Sequence, residues 1–299
     1  MNYEIIIIGG SYAGLSAATT LGRALRKVLV IDGGKPCNRQ TPHSHNFLTR
    51  DGETPATIAN IAKDQLTRYK TVKFVHDFAI DAARQKRGFE VLTLSGKIYT
   101  ASRLLFATGI TDAIPDILGF AECWGISVLH CPYCHGYEVS YQPTGVIGNG
   151  DGGFEMAKLI SNWTKDLTLF TNGEPTLTAA QLQKLKSKKI KIIDSEVQAI
   201  AHHNGQVKSI ALAGNLNHDI NVLYARVPFA QHCNLPQQLG CQLTDMGYMA
   251  VDGFYQTSVP GIYAAGDNIT PMRSVALAVS GGVSAGAFIN KDLIDNAYI

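Results

Sequence analysis

The stretch Tyr3-Glu4-Ile5-Ile6-Ile7-Ile8-Gly9-Gly10-Ser11-Tyr12-Ala13-Gly14 decides the fold of this chain. Four consecutive isoleucines form the short β-branched run of a strand buried on both faces of a parallel sheet. The glycines make a tight turn into an Ala-rich helix, read over residues 15–25, and a second strand over residues 27–31 ends at Asp32. Strand, turn, helix and acid-terminated strand compose the βαβ unit that holds a dinucleotide. Its glycines let the backbone approach a pyrophosphate seated on the helix N-terminus, and its acid accepts from ribose hydroxyls. Ser11 stands where GxGxxG has its second glycine, so the strength of the motif lies in its placement, with Asp32 following Gly9 by 23 residues.

The same pattern recurs further on. Residues 145–147 read as a strand, Gly148-Asn149-Gly150-Asp151-Gly152-Gly153 is a complete GxGxxG, and a helix (154–163) and strand (167–170) follow. The chain therefore carries an internal duplication of the dinucleotide unit. Counting 23 residues from Gly148 lands on Thr171, which is neither a carboxylate for a ribose diol nor an arginine for a 2′-phosphate. Asn172 and Gly173 do not repair this. Two readings stand: a lost nicotinamide site, and a working site whose phosphate loop (Gly148, Gly150, Gly153) takes its selectivity from residues elsewhere.

Immediately before the duplicate lies His130-Cys131-Pro132-Tyr133-Cys134-His135-Gly136-Tyr137-Glu138. Two cysteines at this spacing can close a small disulfide ring, and a neighbouring imidazole can take a thiol proton or stabilise the thiolate. The other four of the six cysteines are scattered, so this is no disulfide-stapled scaffold. A metal site drawing on Cys123 is the competing reading of the pair, although no second ligand pair stands at metal spacing. Cys233 and Cys241 read as packing residues.

Charged residues make up 17% of the chain and the formal net charge is +2, leaving no electrostatic case for nucleic acid or an anionic membrane. The isoleucine run is too short to span a bilayer and follows an acid rather than a basic leader. A soluble, cytoplasmic protein with a small-molecule or protein substrate is expected. Residues 33–50, with Pro36 and Pro42, read as a long loop in which His45 and Asn46 either touch a cofactor ring or are merely exposed. Thr54 introduces a helix over 55–69. Strands at 72–75, 89–94 and 97–100 suggest a small antiparallel layer, and 103–107 returns to the parallel sheet before Thr108-Gly109.

Past the duplicate, 178–189 reads as a basic helix and 190–193, 197–200, 207–212 and 219–223 as strands. Residues 228–240 look like a return linker. Strands at 248–251 and 262–265 then deliver Gly266-Asp267, and a small-residue helix over 273–290 begins at Arg273-Ser274-Val275. Such an aspartate can hold a polyol hydroxyl, and a helix start can stabilise the charge of a reduced flavin.

The order of the GGSYAG turn, Ala107-Thr108-Gly109, CPYC, GNGDGG and Ala264-Ala265-Gly266-Asp267 resembles the low-molecular-weight thioredoxin reductases over essentially the whole chain. The CxxC-His-Gly-Tyr-Glu form is most similar to the branch that includes fungal dithiol oxidases. The resemblance implies an α/β protein of two Rossmann-like three-layer (β/β/α) dinucleotide-binding domains, the second inserted into the first. Residues 1–113 and 244–299 would form a discontinuous FAD-binding domain, residues 116–241 an NAD(P)H-binding-like domain with the dithiol, and the protein a homodimer.

Carried onto matching positions, the family roles make Cys134 the flavin-facing thiol and Cys131 the thiol that exchanges with substrate. FAD would be held by Gly9, Ser11, Ala13, Gly14, Asp32, His45, Asn46, Thr108, Gly109, Gly266, Asp267, Arg273, Ser274 and Val275. Two departures matter. His135 replaces the usual aspartate after the second cysteine, as an acid/base candidate. Thr171-Asn172-Gly173 replaces the His-Arg-Arg whose arginines hold the NADPH 2′-phosphate. The expected function is FAD-dependent thiol–disulfide exchange through Cys131 and Cys134, independent of nicotinamide, with a small dithiol or a thioredoxin-like protein as partner. Oxygen or a redox protein such as ferredoxin would complete the cycle. An NADPH-dependent disulfide reductase is the alternative, and a metal-binding flavin sensor the alternative of another class.

Overall fold

The computed structural model describes residues 2–298. In chain order, the first segment holds β1 (Tyr3–Ile8), α1 (Tyr12–Arg23), β2 (Val28–Asp32), α2 (Pro55–Leu66) and β3 (Val72–His76). It continues with β4 (Ala79–Gln85), β5 (Gly88–Thr93), β6 (Ile98–Phe106) and β7 (Ile110–Asp112). The middle segment runs α3 (Phe120–Cys123), β8 (Val128–Leu129), α4 (Pro132–His135), β9 (Thr144–Ile147), α5 (Gly150–Ile160) and β10 (Leu167–Phe170). After these come α6 (Ala179–Ser187), β11 (Lys191–Ile193), β12 (Val197–His203), β13 (Gln206–Leu212), β14 (Leu216–Asp219) and β15 (Val222–Ala225). The last segment adds β16 (Phe229–Gln231), α7 (Leu235–Gln238), β17 (Ile262–Ala264) and α8 (Val275–Asp295).

The chain folds as two compact units. The outer one comprises the chain up to Arg39, Asn46–Thr111, and the chain from Phe229 onward; the inner one comprises Gln40–His45 and Asp112–Pro228. Besides moving the first crossing from 113–116 to Thr111–Asp112, these bounds differ from those read in the sequence at two places. The short arm Gln40–His45 belongs to the inner unit, and the chain rejoins the outer unit at Phe229 rather than 244. The second difference has a plain cause: Leu235 and Cys241 are buried in the outer core with Ile6, Leu29 and Phe106. Residues 228–240 are thus a strand and a helical turn with apolar anchors rather than a bare linker.

In the outer unit the sheet order is β3-β2-β1-β6-β5-β4, with β17 also on β6. From β3 to β6 the pairs are parallel, with Ile7 opposite both Val30 and Leu105. The long strand β6 serves two neighbours on one edge: its first half pairs antiparallel with β5, and its second half pairs parallel with β17. Side-chain alternation divides the isoleucine run between two cores. Ile5 and Ile7 face α1 and α8 with Leu15, Leu21, Ala285 and Ile289, whereas Ile6 and Ile8 face Phe89, Met249 and Leu235.

Helices α1 and α8 approach closely because small residues meet. Ser16 Oγ donates to the Val279 carbonyl at 2.8 Å, and Gly282 lies directly against the Ala13 carbonyl. At the foot of α8, Asp292 is ion-paired with Arg103 of β6. The inner unit has a parallel sheet, β11-β10-β9-β15-β8, and an antiparallel meander, β12-β13-β14. Buried Ser127 ties the two together, donating to the Gly205 carbonyl at 2.6 Å and accepting from the Val207 amide at 3.0 Å. Among the described residues no helix is long and apolar enough to cross a membrane.

Several local expectations shift. Helix α1 starts at Tyr12 rather than residue 15, because Ala13 and Gly14 of the turn already lie in its first turn. Strand β3 joins the parallel edge instead of an antiparallel layer, and the pieces expected at 97–100 and 103–107 are one strand. Strand β4 escapes sequence patterning because Ala79–Gln85 is an exposed, charge-bearing edge. Residues 219–223 divide between β14 and β15, and 248–251 make only isolated bridges. Helix α5 begins at Gly150, inside its glycine loop, and α8 runs on to Asp295.

Gly282→Ala drives a methyl into the Ala13 carbonyl, and overpacking of this kind costs about 1–3 kcal/mol. Urea denaturation is expected to show a lowered midpoint; an unchanged one would contradict the close α1–α8 contact.

Candidate active site

The glycine turn of the outer unit is built on backbone contact. Gly9 has φ 103°, and a Cβ there would strike the Ala107 carbonyl; one at Gly14 would strike the Gly9 carbonyl. Only glycine serves at the first position on conformation alone. Ser11 N-caps α1 in extended conformation without a side-chain cap, and no acid stands in the first turn. The positive end of the helix dipole and its unpaired amides are therefore left for an anion. Asp32 Oδ1 accepts from the Gly10 amide at 3.0 Å, and Lys63 Nζ lies 3.9 Å from Oδ2.

A cavity of about 450 Å³ opens over this turn, lined among others by Gly9, Ser11, Asp32, Phe78, Thr108 and Gln231. Two polar atoms there, Thr108 Oγ1 and Gln231 Oε1, are buried with no hydrogen-bond partner among the described residues. Gln231 is fixed by its amide nitrogen, which donates to the Gly247 and Asn268 carbonyls at 2.9 and 3.0 Å. Buried polar groups require partners, so these atoms await donors from a ligand. A dinucleotide, with ribose hydroxyls for Asp32 and a pyrophosphate for the turn, fits what is present. Phe78 and Gln231 escape sequence reading; the polar run Gln231-His232-Cys233-Asn234 was the available signal for the latter.

The remaining outer candidates form a second group at the β17–α8 junction. Gly266, at φ 98°, faces Ala13, with 3.1 Å between a Cβ placed there and that of Ala13. Asp267 Oδ2 lies 3.7 Å from Cys37 Sγ and 3.8 Å from Arg273 Nε. Ser274 caps α8 by accepting from the Leu277 amide at 3.1 Å, and Val275 begins the helix. Gly109, at φ 65°, accepts from the His232 amide at 3.4 Å. Asn46, at φ 60°, is exposed, and its amide donates to Asp51 Oδ1 at 2.6 Å.

In the inner unit Cys131 and Cys134 are joined by a disulfide with Cα atoms 5.4 Å apart. Pro132–His135 makes a single helical turn with Cys131 as its N-cap. Trp163 packs beneath it: its indole reaches Gly136, and its ring meets the edge of exposed Tyr133 at 5.6 Å between centroids. Burial holds the His135 imidazole below its ordinary pKa, the neighbouring His45 adds to this, and Glu138 opposes it. His45 stands among these groups, with Nδ1 3.3 Å from Glu138 Oε1 and its ring perpendicular to that of His135, 6.2 Å away. The structure thus places His45 beside the dithiol turn and Asn46 in the other unit. His130 instead packs against Trp124, 5.9 Å between centroids.

The duplicate turn keeps its glycines but not its selector. Gly148 and Gly153 pack backbone to backbone. Asn149 Oδ1 accepts from the amides of Gly150 and Thr176, both at 2.8 Å. Where the outer unit presents Asp32, buried Thr171 donates its hydroxyl to the Gly173 carbonyl at 2.7 Å, and Asn172 Oδ1 accepts from the Val197 amide at 2.7 Å. The Thr171 hydroxyl is thus taken up within its loop, and Asn172 Oδ1 by the start of β12.

Among the described residues no three His, Cys, Asp or Glu side chains are gathered as a metal ion would need. Cys123 is buried, and its thiol is pushed up to about 11 by that burial. Cys233 and Cys241 are free thiols, both raised by burial, and Cys241 sits 3.4 Å from the Thr257 hydroxyl.

Comparison with known proteins agrees with this chemistry. Residues 3–282 match the family model described as pyridine nucleotide-disulphide oxidoreductase. Thioredoxin reductase tcpT of Claviceps purpurea is 30% identical over 308 residues, 97% of this chain and 94% of the relative. Thioredoxin reductase aclD of Aspergillus oryzae is 28% identical over 303 residues, 97% and 96% of the two chains. The crystal structure of an oxidoreductase from Agrobacterium tumefaciens superposes with a TM-score of 0.92 at 37% identity, covering 98% of this chain and 99% of that one. The chain belongs to the pyridine nucleotide-disulphide oxidoreductase family, as a flavoprotein disulfide oxidoreductase of the thioredoxin reductase-like kind.

Proposed function

We propose that this protein is a nicotinamide-independent thiol oxidase: a dithiol reduces the Cys131–Cys134 disulfide, and the electrons leave through FAD to oxygen or another acceptor. The observation that carries this reading is the contrast between the two glycine turns. The Asp32 carboxylate lines a cavity while accepting from the Gly10 amide, whereas the Thr171 hydroxyl is taken up by the Gly173 carbonyl and Asn172 Oδ1 by the Val197 amide of β12. A ribose diol finds a carboxylate at the first position; at the second, Thr171, Asn172 and Gly173 offer neither a carboxylate for a diol nor a cation for a 2′-phosphate.

FAD would be held by the Gly9–Gly14 turn, Asp32, Thr108, Gln231 and the Gly266–Asp267 corner, and when bound it supplies the two-electron acceptor for the dithiol. The protein's own groups manage bonds and protons. A substrate thiol gives its proton to His135 and attacks Cys131 Sγ; the Cys131–Cys134 bond breaks, and Cys134 leaves as a thiolate beside the imidazolium. The second substrate thiol then attacks the mixed disulfide and frees Cys131. A neutral His135 suits this direction, since it begins as a proton acceptor. Exposed Tyr133 and Tyr137 flank the dithiol with uncharged aromatic surface, which suits a compact dithiol. The alternative, an NADPH-dependent reductase, is favoured by the intact spacing of Gly148, Gly150 and Gly153.

Anaerobic titration with dithiothreitol is expected to bleach the flavin in the wild type and to leave Cys134→Ser yellow, with colour returning on admission of air. Bleaching that survives in Cys134→Ser, or stoichiometric bleaching by NADPH, would sink the proposal. Asp32→Ala is expected to weaken FAD retention by about 10-fold or more, the value of a hydrogen bond to a charged group, as read by flavin release on dilution.

A further inference from the structure

We propose that His45 is a positioning residue for the thiol chemistry: from the Gln40–His45 arm it lies against the dithiol turn, anchored on Glu138, and keeps His135 in its proton-accepting form. The inference rests on the proposed role of His135 as the base. Its ground is geometric. The arm packs with the inner unit, although its flanking residues belong to the outer one. Gln40 and Thr41 lie against Gly125, and the arm ends with His45 Nδ1 3.3 Å from Glu138 Oε1, an ion pair when the ring is protonated. The rings of His45 and His135 meet edge to face at 6.2 Å, close enough for charge on one to govern charge on the other.

A fourth polar group feels the charge of Glu138. The Tyr224 hydroxyl, on β15, is buried without a partner, and burial together with the charge of Glu138 raises its pKa, so it stays a neutral donor. Of the neighbours of His135, His45 disfavours the imidazolium and Glu138 favours it, while the His130 ring packs against Trp124. Burial and His45 outweigh Glu138, and the imidazole is held below its ordinary value. As pH falls, His135 therefore stays neutral past the point at which an unperturbed histidine would protonate.

The chemical consequence follows from the proton balance of the exchange step. The substrate thiol must lose a proton as its sulfur bonds to Cys131 and the electron pair of the broken disulfide moves to Cys134. A His135 already protonated cannot take that proton, so the first step slows as pH drops through the pKa of His135. Removing His45 shifts that point upward, toward working pH. Glu138, the remaining charged neighbour, is then opposed by burial alone.

The test uses the FAD-loaded protein with histidine ring carbons labelled for NMR, followed from about pH 5 to pH 8. The His135 resonance is assigned from its loss in His135→Asn. Its midpoint is expected below the ordinary histidine value in the wild type, to rise in His45→Gln, and to return in His45→Arg, which keeps a cation beside Glu138. Anaerobic flavin reduction by dithiothreitol should slow in His45→Gln by roughly two- to five-fold near pH 6 and converge with the wild type above about pH 7.5, as expected for partial protonation of one base. Retained flavin and an unchanged melting temperature exclude misfolding; if His45→Gln unfolds, Asn at the same position serves. A His135 midpoint unmoved in His45→Gln overturns the positioning role while leaving His135 as base. A pH limb that survives in His135→Asn overturns the role of His135 itself.

Discussion

The outer unit depends on one constraint: at Gly9 and Gly14 the backbone of the first turn lies so close to its neighbours that no side chain fits. Gly9 rests on the carbonyl of Ala107 at the end of β6, and Gly14 rests on Gly9. This contact fixes where α1 begins relative to β1, and hence where its unpaired amides point. The rest is arranged around it. Ile5 and Ile7 lock the strand beneath the helix, Gly282 and Ser16 bring α8 against the same helix, and Asp32 braces the turn through the Gly10 amide.

The inner unit repeats the contact and diverges after it. Gly148 and Gly153 reproduce the backbone approach, so the duplicate turn is kept for packing whether or not it binds a nucleotide. Divergence lies at the end of the second strand. The first copy ends in a carboxylate that both braces its turn and lines the cavity; the second ends in a hydroxyl bonded to the Gly173 carbonyl and a side-chain amide oxygen bonded to the Val197 amide.

Much of this was legible in the sequence, for reasons that differ by residue. The βαβ turns announce themselves because glycine is required by geometry, and the dithiol because two cysteines at that spacing have few uses. The parallel core strands are legible from their unbroken apolar runs. Strand β4 was hidden because an exposed edge has no periodic burial to display. Gln231 was hidden because a polar residue on a returning segment looks like any loop residue until its amide is seen fixed by two carbonyls. His45 was open in the sequence between a cofactor contact and an exposed loop position, and only the fold shows the Gln40–His45 arm against Glu138 and His135.

The account turns on whether the duplicate turn still binds a nicotinamide nucleotide. Isothermal titration calorimetry of the FAD-loaded protein with NADPH, and separately NADH, measures this without reliance on turnover. No saturable heat is predicted up to about 1 mM nucleotide, a concentration at which only interactions weaker than about −4 kcal/mol escape detection. A stoichiometric isotherm with a micromolar dissociation constant for either nucleotide would contradict it.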